Sequence, residues 1–182
     1  MKFLEQSLAG VFLIEPEPFS DDRGLLRRVF CGREFAQSGV HFDVKQSSIS
    51  ENKLKGTLRG FHYQRPPYQE GKTLSCIRGA IYDIVADLRP ASPTYSKWIS
   101  MELNEENRLT LYVPPGCANC YLTLKDDTQI LYYHSEFYTP GSEHGIRYDD
   151  PFFNFKWPMP PAVISVKDKS IAPFVPEKAA AR

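Results

Sequence analysis

The sequence predicts an all-β fold, a jelly roll or a related barrel, on the basis of two observations. Short runs rich in Ile, Val, Tyr, Phe and Thr recur along the chain, and prolines and glycines separate them at roughly 8–12-residue intervals. In one such run Ile99, Met101 and Leu103 alternate with Ser100 and Glu102, as expected of a half-buried strand. Many short strands with regular turns are typical of antiparallel sandwiches and barrels.

The remaining elements follow from the same signals. A short helix is predicted at Arg33–Gln37, ended by Gly39, and a proline-rich tail from Pro158 to Pro176 is expected to be irregular and to wrap over the surface. Glu177–Arg182 should fray. The clearest strand candidates are Val11–Ile14, Leu74–Ile77, Ala80–Leu88, Lys97–Leu103, Thr110–Val113, Cys120–Leu124 and Gln129–Ser135.

Length and charge limit the class of protein. The chain has 182 residues, enough for one hydrophobic core, so we expect a single domain over residues 1–182. Its 22 Lys and Arg balance 22 Asp and Glu, which gives no sign of nucleic-acid or membrane-surface binding. Because no apolar run reaches the roughly 18 residues of a spanning helix, we expect a cytoplasmic protein.

The four cysteines are expected to be free thiols, and Cys117 and Cys120 form a CxxC motif. A zinc site needs a second ligand pair, and a redox CxxC usually opens a helix, whereas this one enters a strand-like stretch. We therefore expect two small core or turn residues. The four histidines include no pair one residue apart, so a metal site is not expected.

The densest group of candidate functional residues is Gly56–Gln64, followed by Glu70 and Lys72. An isolated strand histidine such as His62 is more often structural, but two cations, Arg59 and Lys72, suit an anionic ligand or an enolate nearby. If the strand alternates regularly, one face carries Leu58, Gly60, His62 and Gln64, and the other carries Arg59, Phe61 and Tyr63.

Two further groups are ambiguous from the residues alone. Tyr132 and His134 should share one strand face, where aromatic side chains more often pack than react. Asp168 follows Ser165 by three positions, and it either orients a histidine or caps a turn, with the turn favoured.

Taken together, the motifs resemble those of the dTDP-4-dehydrorhamnose 3,5-epimerases and their 3-epimerase relatives in deoxysugar biosynthesis. The similarity runs from about Phe3 to Pro173, and the order and spacing of the motifs make it specific. The motifs are Asp22-Arg23-Gly24, Gly56–Gln64, Asp87-Leu88-Arg89 with Ser92-Pro93-Thr94, Val113–Gly116, Gly145–Pro151, Trp157-Pro158 and Ser165–Asp168.

The resemblance implies a cupin-type jelly roll, usually a homodimer, that binds a nucleoside-diphosphate sugar in the barrel mouth and uses no metal or cofactor. It implies a general base at His62 oriented by Asp168, an enolate-stabilising Lys72 and an acid at Tyr132. It also implies substrate-binding roles for Arg23 and Arg59 on the diphosphate, for Asn119, and for Gln46, Tyr138 and Glu143 near the nucleotide.

These roles suit epimerisation beside a C4 ketone. A hydrogen next to a ketone is acidic only because the resulting charge spreads onto oxygen. Inversion therefore needs a base on one face of the sugar, hydrogen-bond donors at the oxygen and an acid on the other face, each contributing about 10²–10⁴-fold in rate. We expect inversion at C3 and leave C5 open.

The chain departs from the family pattern at several positions. The family usually reads Pro-Pro-Gly-Phe-Ala-His-Gly-Phe where this chain has Pro114–Tyr121, so a second active-site histidine becomes Asn119. Asparagine can donate a hydrogen bond, but unlike histidine it cannot take up a proton or carry a positive charge. Leu26 replaces a common phenylalanine and Arg28 an acidic residue, which leaves the nucleotide base open.

Three rival interpretations remain at this point. The chain is a relative that acts on another keto-sugar nucleotide, such as a dideoxy sugar or a heptose, or it is a sugar-nucleotide binding protein of the same fold without turnover. The third rival, a metal-dependent cupin oxygenase, requires ligands that the sequence lacks.

Overall fold

The structure is a computed structural model that describes residues 1–176; the fraying predicted for 177–182 falls outside the described residues. Fourteen strands and two short helices make up these residues. In chain order they are β1 (Lys2–Glu5), β2 (Phe12–Glu15), β3 (Phe19–Asp21), β4 (Gly24–Leu26), α1 (Gly32–Gln37), β5 (Gln46–Asn52), β6 (Thr57–Gln64), β7 (Lys72–Arg78), β8 (Ala80–Asp87), β9 (Trp98–Asn104), β10 (Thr110–Val113), β11 (Cys117–Thr123), β12 (Thr128–His134), β13 (Glu143–Gly145), β14 (Val163–Ile164) and α2 (Val166–Lys169).

Two larger sheets form the body of the protein. The first has the order β1-β2-β10-β7-β12-β5, and the second has the order β13-β6-β11-β8-β9, with β14 added parallel to β6. Neighbours along each order are otherwise antiparallel, and sequence-distant strands such as β2 and β10 pair, which is the pattern of a jelly roll. The predicted all-β fold is confirmed, as is the predicted short helix near the N-terminus.

The inward-facing residues of both sheets form one interior cluster. It includes Leu74 on β7, Val85 on β8, Leu111 on β10 and Ile130 on β12, all 0% exposed. Burying such side chains stabilises the fold by about 1.5–3 kcal/mol each, which makes this cluster the main source of stability. Cys117 belongs to it, and so the prediction of a small core residue there is confirmed.

Two other clusters cover the outer faces of the sheets. Helix α1 places Phe35 on the outside of the first sheet, beside Tyr112. The C-terminal segment covers the second sheet with Phe153 and Phe155, and Phe61 of β6 stacks on Phe155 at 4.3 Å between ring centroids. The tail is irregular apart from β14 and α2, yet it packs closely enough to bury part of a sheet. No helix in residues 1–176 is long and apolar enough to span a membrane.

Strand β6 does not alternate as the sequence predicted. His62 and Gln64 do share a face, but Leu58 packs outward with Phe61, while Arg59 turns to the cavity that His62 lines. The pairing with β11 explains the change, since Asn119 lies opposite His62 whereas Tyr121 lies opposite Arg59. The three residue steps from Arg59 to His62 on β6 thus span the same length as the two steps from Asn119 to Tyr121 on β11. This β-bulge reverses which sheet face the side chains before it occupy.

Gly60 makes this bulge feasible. Its φ is +126°, and an added Cβ would lie 2.6 Å from the backbone oxygen of Asn119 and 2.6 Å from the Cα of Cys120. Gly24, in the β3–β4 hairpin, has a nearly identical φ of +125°, but nothing lies within 4 Å of its Cβ position. The two glycines share nearly the same φ and differ in the space around them.

We therefore predict that Gly60→Ala is far more damaging than Gly24→Ala. Both variants incur backbone strain of about 1–3 kcal/mol, but only Gly60→Ala also forces β6 away from β11. Urea unfolding of both variants checks this, and the expected result is a clearly larger loss of unfolding free energy for Gly60→Ala. Equal losses would show that the close approach of β6 to β11 is unimportant.

Candidate active site in the barrel mouth

A cavity of about 630 Å³ opens in the barrel, lined by residues from both large sheets and from the C-terminal segment. Lys72 and Tyr132 come from the first sheet, whereas His62 and Asn119 come from the second and Asp168 comes from α2. Nine of the ten predicted site residues line this cavity: Gln46, Arg59, His62, Lys72, Asn119, Tyr132, Tyr138, Glu143 and Asp168.

His62 and Asp168 form a hydrogen-bonded pair. His62 Nε2 lies 2.8 Å from Asp168 Oδ1, and the aspartate is 3% exposed. Burial acts to raise the pKa of Asp168, but the hydrogen bond and charge of His62, together with contacts from the Gly60 backbone and Ser165, outweigh it and hold the pKa below its usual value. Because the ionised aspartate accepts a proton-bearing Nε2, the other ring nitrogen, Nδ1, is left free to take a proton. Nδ1 lies 3.8 Å from Glu143 Oε1, too far for a hydrogen bond.

Helix α2 holds Asp168 in place. Ser165 caps the helix, and its hydroxyl accepts a hydrogen bond from the backbone N–H of Asp168 over 3.0 Å. The strand before it, β14, pairs with the start of β6. The cap is therefore Ser165 and not Asp168, for which the residues alone favoured a turn-capping role; the Asp168 side chain instead binds the histidine.

A second charged group lies across the cavity on the first sheet. Lys72 Nζ lies 3.2 Å from Glu70 Oε1 and donates to the backbone oxygen of His62 over 3.2 Å. His134 Nδ1 lies 3.1 Å from Glu70 Oε2. Burial opposes ionisation of Glu70, but His134 and Lys72 together lower its pKa to about 2. Glu70 therefore stays ionised and fixes Lys72 and His134 at the cavity wall.

Tyr132 enters the cavity from β12. Its ring stacks on His134 with 5.6 Å between centroids, so the predicted shared face is confirmed, and it also packs against the interior cluster. Burial raises the pKa of the Tyr132 hydroxyl well above its ordinary value, with further contributions from Tyr121 and Asp83. The hydroxyl therefore carries its proton. Tyr121 in turn contacts Ser50, with 2.9 Å between the two hydroxyl oxygens.

Asn119 lies on β11, opposite His62 in the strand pairing. Its Nδ2 donates to Asp83 Oδ2 over 3.0 Å, and Asp83 is completely buried. The amide is therefore held by a group behind the cavity wall.

The remaining predicted residues lie around the mouth of the cavity. Gln46 Oε1 accepts a hydrogen bond from the backbone N–H of Tyr138. The Tyr138 hydroxyl oxygen lies 3.5 Å from Glu143 Oε2. Glu143 also pairs with Lys167. Arg59 donates from Nε to Asn52 Oδ1 over 2.8 Å. These polar side chains form a rim suited to a nucleotide.

Arg23 is the predicted site residue that does not line this cavity. It lies at the turn of the exposed β3–β4 hairpin, pairs with Asp21, and its side chain is 88% exposed. Leu26 ends the same hairpin and is also exposed, and Arg28 pairs with Glu34 instead of lining the cavity.

The sequence of the chain matches a known protein family. The sequence model of the family described as dTDP-4-dehydrorhamnose 3,5-epimerase matches residues 5–175. The chain belongs to this family. A dTDP-4-dehydrorhamnose 3,5-epimerase of Sinorhizobium fredii is 40% identical over 171 residues, which cover 93% of this chain and 88% of that protein.

Solved structures of the family agree with the fold. The dTDP-4-dehydrorhamnose 3,5-epimerase from Bacillus anthracis, crystallised with TDP and PPi bound, superposes with a TM-score of 0.92 at 31% identity and covers 95% of this chain and 99% of that one. A 3'-monoepimerase from Streptomyces bikiniensis in complex with dTDP-quinovose gives 0.85 at 32% identity, covering 92% and 85%. The predicted family, its cupin-like jelly roll and the enzyme class, an epimerase, are confirmed.

The structure adds Glu70, Asp83 and His134 to the epimerase site. Glu70 and His134 were noted in the sequence without a role in the site, and Asp83 was not noted. Glu70 stands two positions before Lys72, and His134 stands two positions after Tyr132, so strand alternation was a usable signal for His134. Asp83 lies in an otherwise apolar strand, and only its three-dimensional contact with Asn119 connects it to the cavity. Within residues 1–176 no group of three potential metal ligands lies close together.

Proposed function

We propose that this protein epimerises C3 of a nucleoside-diphosphate 4-keto-6-deoxyhexose in deoxysugar biosynthesis, with C5 as a second candidate centre. The catalysis needs only proton transfers by side chains of this chain. The proposal is carried by one observation, the His62–Asp168 pair at 2.8 Å inside a cavity that also holds the protonated hydroxyl of Tyr132. The named relatives act on dTDP sugars, and dTDP is the nucleotide we propose here.

His62 is the proposed general base. Asp168 holds Nε2 and leaves Nδ1 to remove the proton next to the ketone. The ionised aspartate also stabilises the imidazolium that forms. Loss of the C–H proton leaves an enolate whose charge concentrates on the C4 oxygen.

Lys72 and Asn119 are the proposed partners of that oxygen. Lys72 is held by Glu70 and by the His62 backbone oxygen, so its ammonium group does not need to reorganise during the reaction. Tyr132 is the proposed acid on the opposite face of the sugar. Its raised pKa keeps the proton in place until the enolate carbon accepts it. Removal on one face and return on the other inverts the carbon.

The rim residues are the proposed nucleotide contacts. Arg59, Gln46, Tyr138 and Glu143 lie around the cavity mouth, where remote binding energy can hold the sugar between base and acid. The His62–Asp168 pair also argues against a binding protein without turnover, because binding alone does not need a base with a supporting carboxylate.

The proposal predicts different defects for the base and the acid. In D₂O with dTDP-4-keto-6-deoxyglucose, His62→Ala should lose both exchange and inversion, by about 10²–10⁴-fold. Tyr132→Phe should lose inversion by a similar factor while deuterium still enters at the carbon that His62 deprotonates. Proton NMR measures both quantities in one sample.

Tyr133→Phe is the matched control, because Tyr133 neighbours Tyr132 on the strand but faces away and packs against Phe30. It should keep both exchange and inversion. Wild-type protein that binds the nucleotide sugar without any exchange would refute the epimerase proposal for this substrate. Loss of exchange in Tyr132→Phe would refute the assignment of Tyr132 as the acid.

We also propose that the protein acts as a homodimer and that Arg23 reaches the diphosphate of the partner subunit's substrate. The β3–β4 hairpin pairs with neither large sheet. It exposes Phe19 by 64% and Leu26 by 74%, which is unusual for large apolar side chains grouped together. A second copy would cover this hairpin, and it would bring a cation to a cavity mouth that Arg23 does not reach in its own chain. The cytoplasmic location stays a prediction from the sequence.

Mixing two variants with different defects tests this dimer. Arg23→Ala should weaken diphosphate binding by about 1.5–3 kcal/mol, and His62→Ala should abolish turnover. If the β3–β4 hairpin of one subunit reaches the site of the other, each mixed dimer contains one site with both Arg23 and His62 intact. The activity at low substrate concentration should then exceed the mean activity of the two variants measured separately. If Arg23 acts within its own chain, every site in the mixture has one defect, and activity will not exceed that mean.

A further inference from the structure

Asp83 has an unusual environment. In residues 1–176 its Oδ1 is the one buried side-chain oxygen or nitrogen without a hydrogen-bond partner. The residue is 0% exposed and lies on β8 between Ile81 and Val85, which belong to the interior cluster. Its Oδ2 has a single partner, Asn119 Nδ2. A buried carboxylate with so few partners is costly when ionised, so this arrangement favours the neutral acid.

The groups that face Asp83 do not offset this cost. Lys72 on β7 favours ionisation, but its ammonium group already pairs with Glu70. Tyr132 on β12 and Cys120 on β11 are neutral groups whose own ionisation the Asp83 charge opposes. On β9 the residue opposite is the uncharged Met101. Burial outweighs the contacts with Asn119 and Lys72 and raises the pKa of Asp83 to about 8.

The protonation state of Asp83 decides what Asn119 presents to the substrate. With an ionised Asp83, the Asn119 NH₂ group points at the carboxylate, and the amide oxygen, which has no partner in the described chain, faces the cavity. With a neutral Asp83, the acid can donate its own proton to the amide oxygen. The amide then turns over, and the NH₂ group faces the cavity, since the two orientations occupy the same space.

We propose that Asp83 is a positioning residue that works as a neutral carboxylic acid: it donates to the Asn119 amide oxygen and so aims the Asn119 NH₂ group at the reacting oxygen of the substrate. This inference rests on the proposed function. It assigns the buried carboxyl to a role in the reaction and explains how an asparagine serves at a position where the family resemblance implies a histidine.

The chemistry of the enolate requires this orientation. An NH₂ group stabilises the oxyanion by donating to it, whereas an amide oxygen at the same place repels it. A neutral Asp83 also removes a negative charge from behind the site at which the enolate charge develops. Ionisation of Asp83 therefore harms the reaction twice.

Activity against pH tests the proposal. The wild-type kcat should fall as the pH rises through about 8, the pKa of Asp83. Asp83→Asn supplies an NH₂ donor to the same amide oxygen, so it should stay within about tenfold of wild type, equivalent to 1.4 kcal/mol, and should lack this fall. Asn119→Leu removes the donor itself and should lower kcat by about 10²–10³-fold below about pH 8, where wild type still presents that donor.

Thermal unfolding supplies a readout that does not depend on turnover. The pKa of Asp83 rises from 3.8 in the unfolded chain to about 8 in the fold. The unfolded state therefore releases its proton first, and wild-type stability should fall relative to Asp83→Asn between pH 4 and pH 8 and level off above.

Asp87 provides the control, because it is equally buried on the same strand but accepts bonds from Arg89, Ser92 and Thr94, which lower its pKa to about 2. Its stabilisation is complete above the unfolded pKa, so the stability difference between wild type and Asp87→Asn should stay constant between pH 4 and pH 8.

Two results would overturn the proposal. One is a folded Asp83→Asn variant as inactive as Asn119→Leu, which would show that an anion is needed. The other is a constant stability difference between wild type and Asp83→Asn across pH 4 to 8, which would show that Asp83 is ionised throughout. If wild type turns over no 4-keto sugar nucleotide, the proposed function fails, while the unfolding experiment still decides the ionisation of Asp83.

Discussion

The hydrogen bond between His62 and Asp168 joins the two parts of the chain from which the site is built. His62 lies on a strand in the middle of the fold, and Asp168 lies in a tail that returns to that strand through β14. The tail packs its aromatic residues on the outside of the second sheet, and this packing holds the carboxylate at 3% exposure behind the imidazole. An aspartate in a free tail could not fix one nitrogen of the imidazole, so the orientation of the base depends on folding of the whole C-terminal segment.

Two carboxyl groups in the barrel, those of Glu70 and Asp83, differ in how far their hydrogen-bond partners offset the cost of burying a charge. Glu70 is largely buried but has two partners, Lys72 and His134, and its pKa is low as a result. Asp83 is buried more deeply and has only an amide, and its pKa is high. Both outcomes follow from the same balance between desolvation and hydrogen bonding. The site thus combines an ionised carboxylate that fixes Lys72 with a carboxyl group that is suited to remain neutral.

The sequence predicted much of this structure because its signals were local. Strand alternation placed Ile99, Met101 and Leu103 correctly, and Thr110–Val113 has the predicted bounds. The faces of β6 were wrong at Leu58 and Arg59, because the bulge at Gly60 depends on pairing with β11, which lies far along the chain. The role of Asp83 could not be predicted for a similar reason. It depends on the burial of the carboxyl group and on its contact with Asn119, and the residues of its own strand indicate neither. The role proposed for Arg23 depends on a second copy of the chain, which the sequence of a single chain does not describe.

The central claim is that a keto sugar lies between His62 on one face and Tyr132 on the other. A crystal structure of the protein with dTDP-6-deoxyglucose, which lacks the reactive ketone, tests it most directly. The account predicts that His62 Nδ1 and the Tyr132 hydroxyl approach opposite faces of the ring at about 3–3.5 Å from the same carbon, with the C4 oxygen beside Lys72 and Asn119. A ring with both side chains on one face, or a sugar bound outside the barrel mouth, would contradict it.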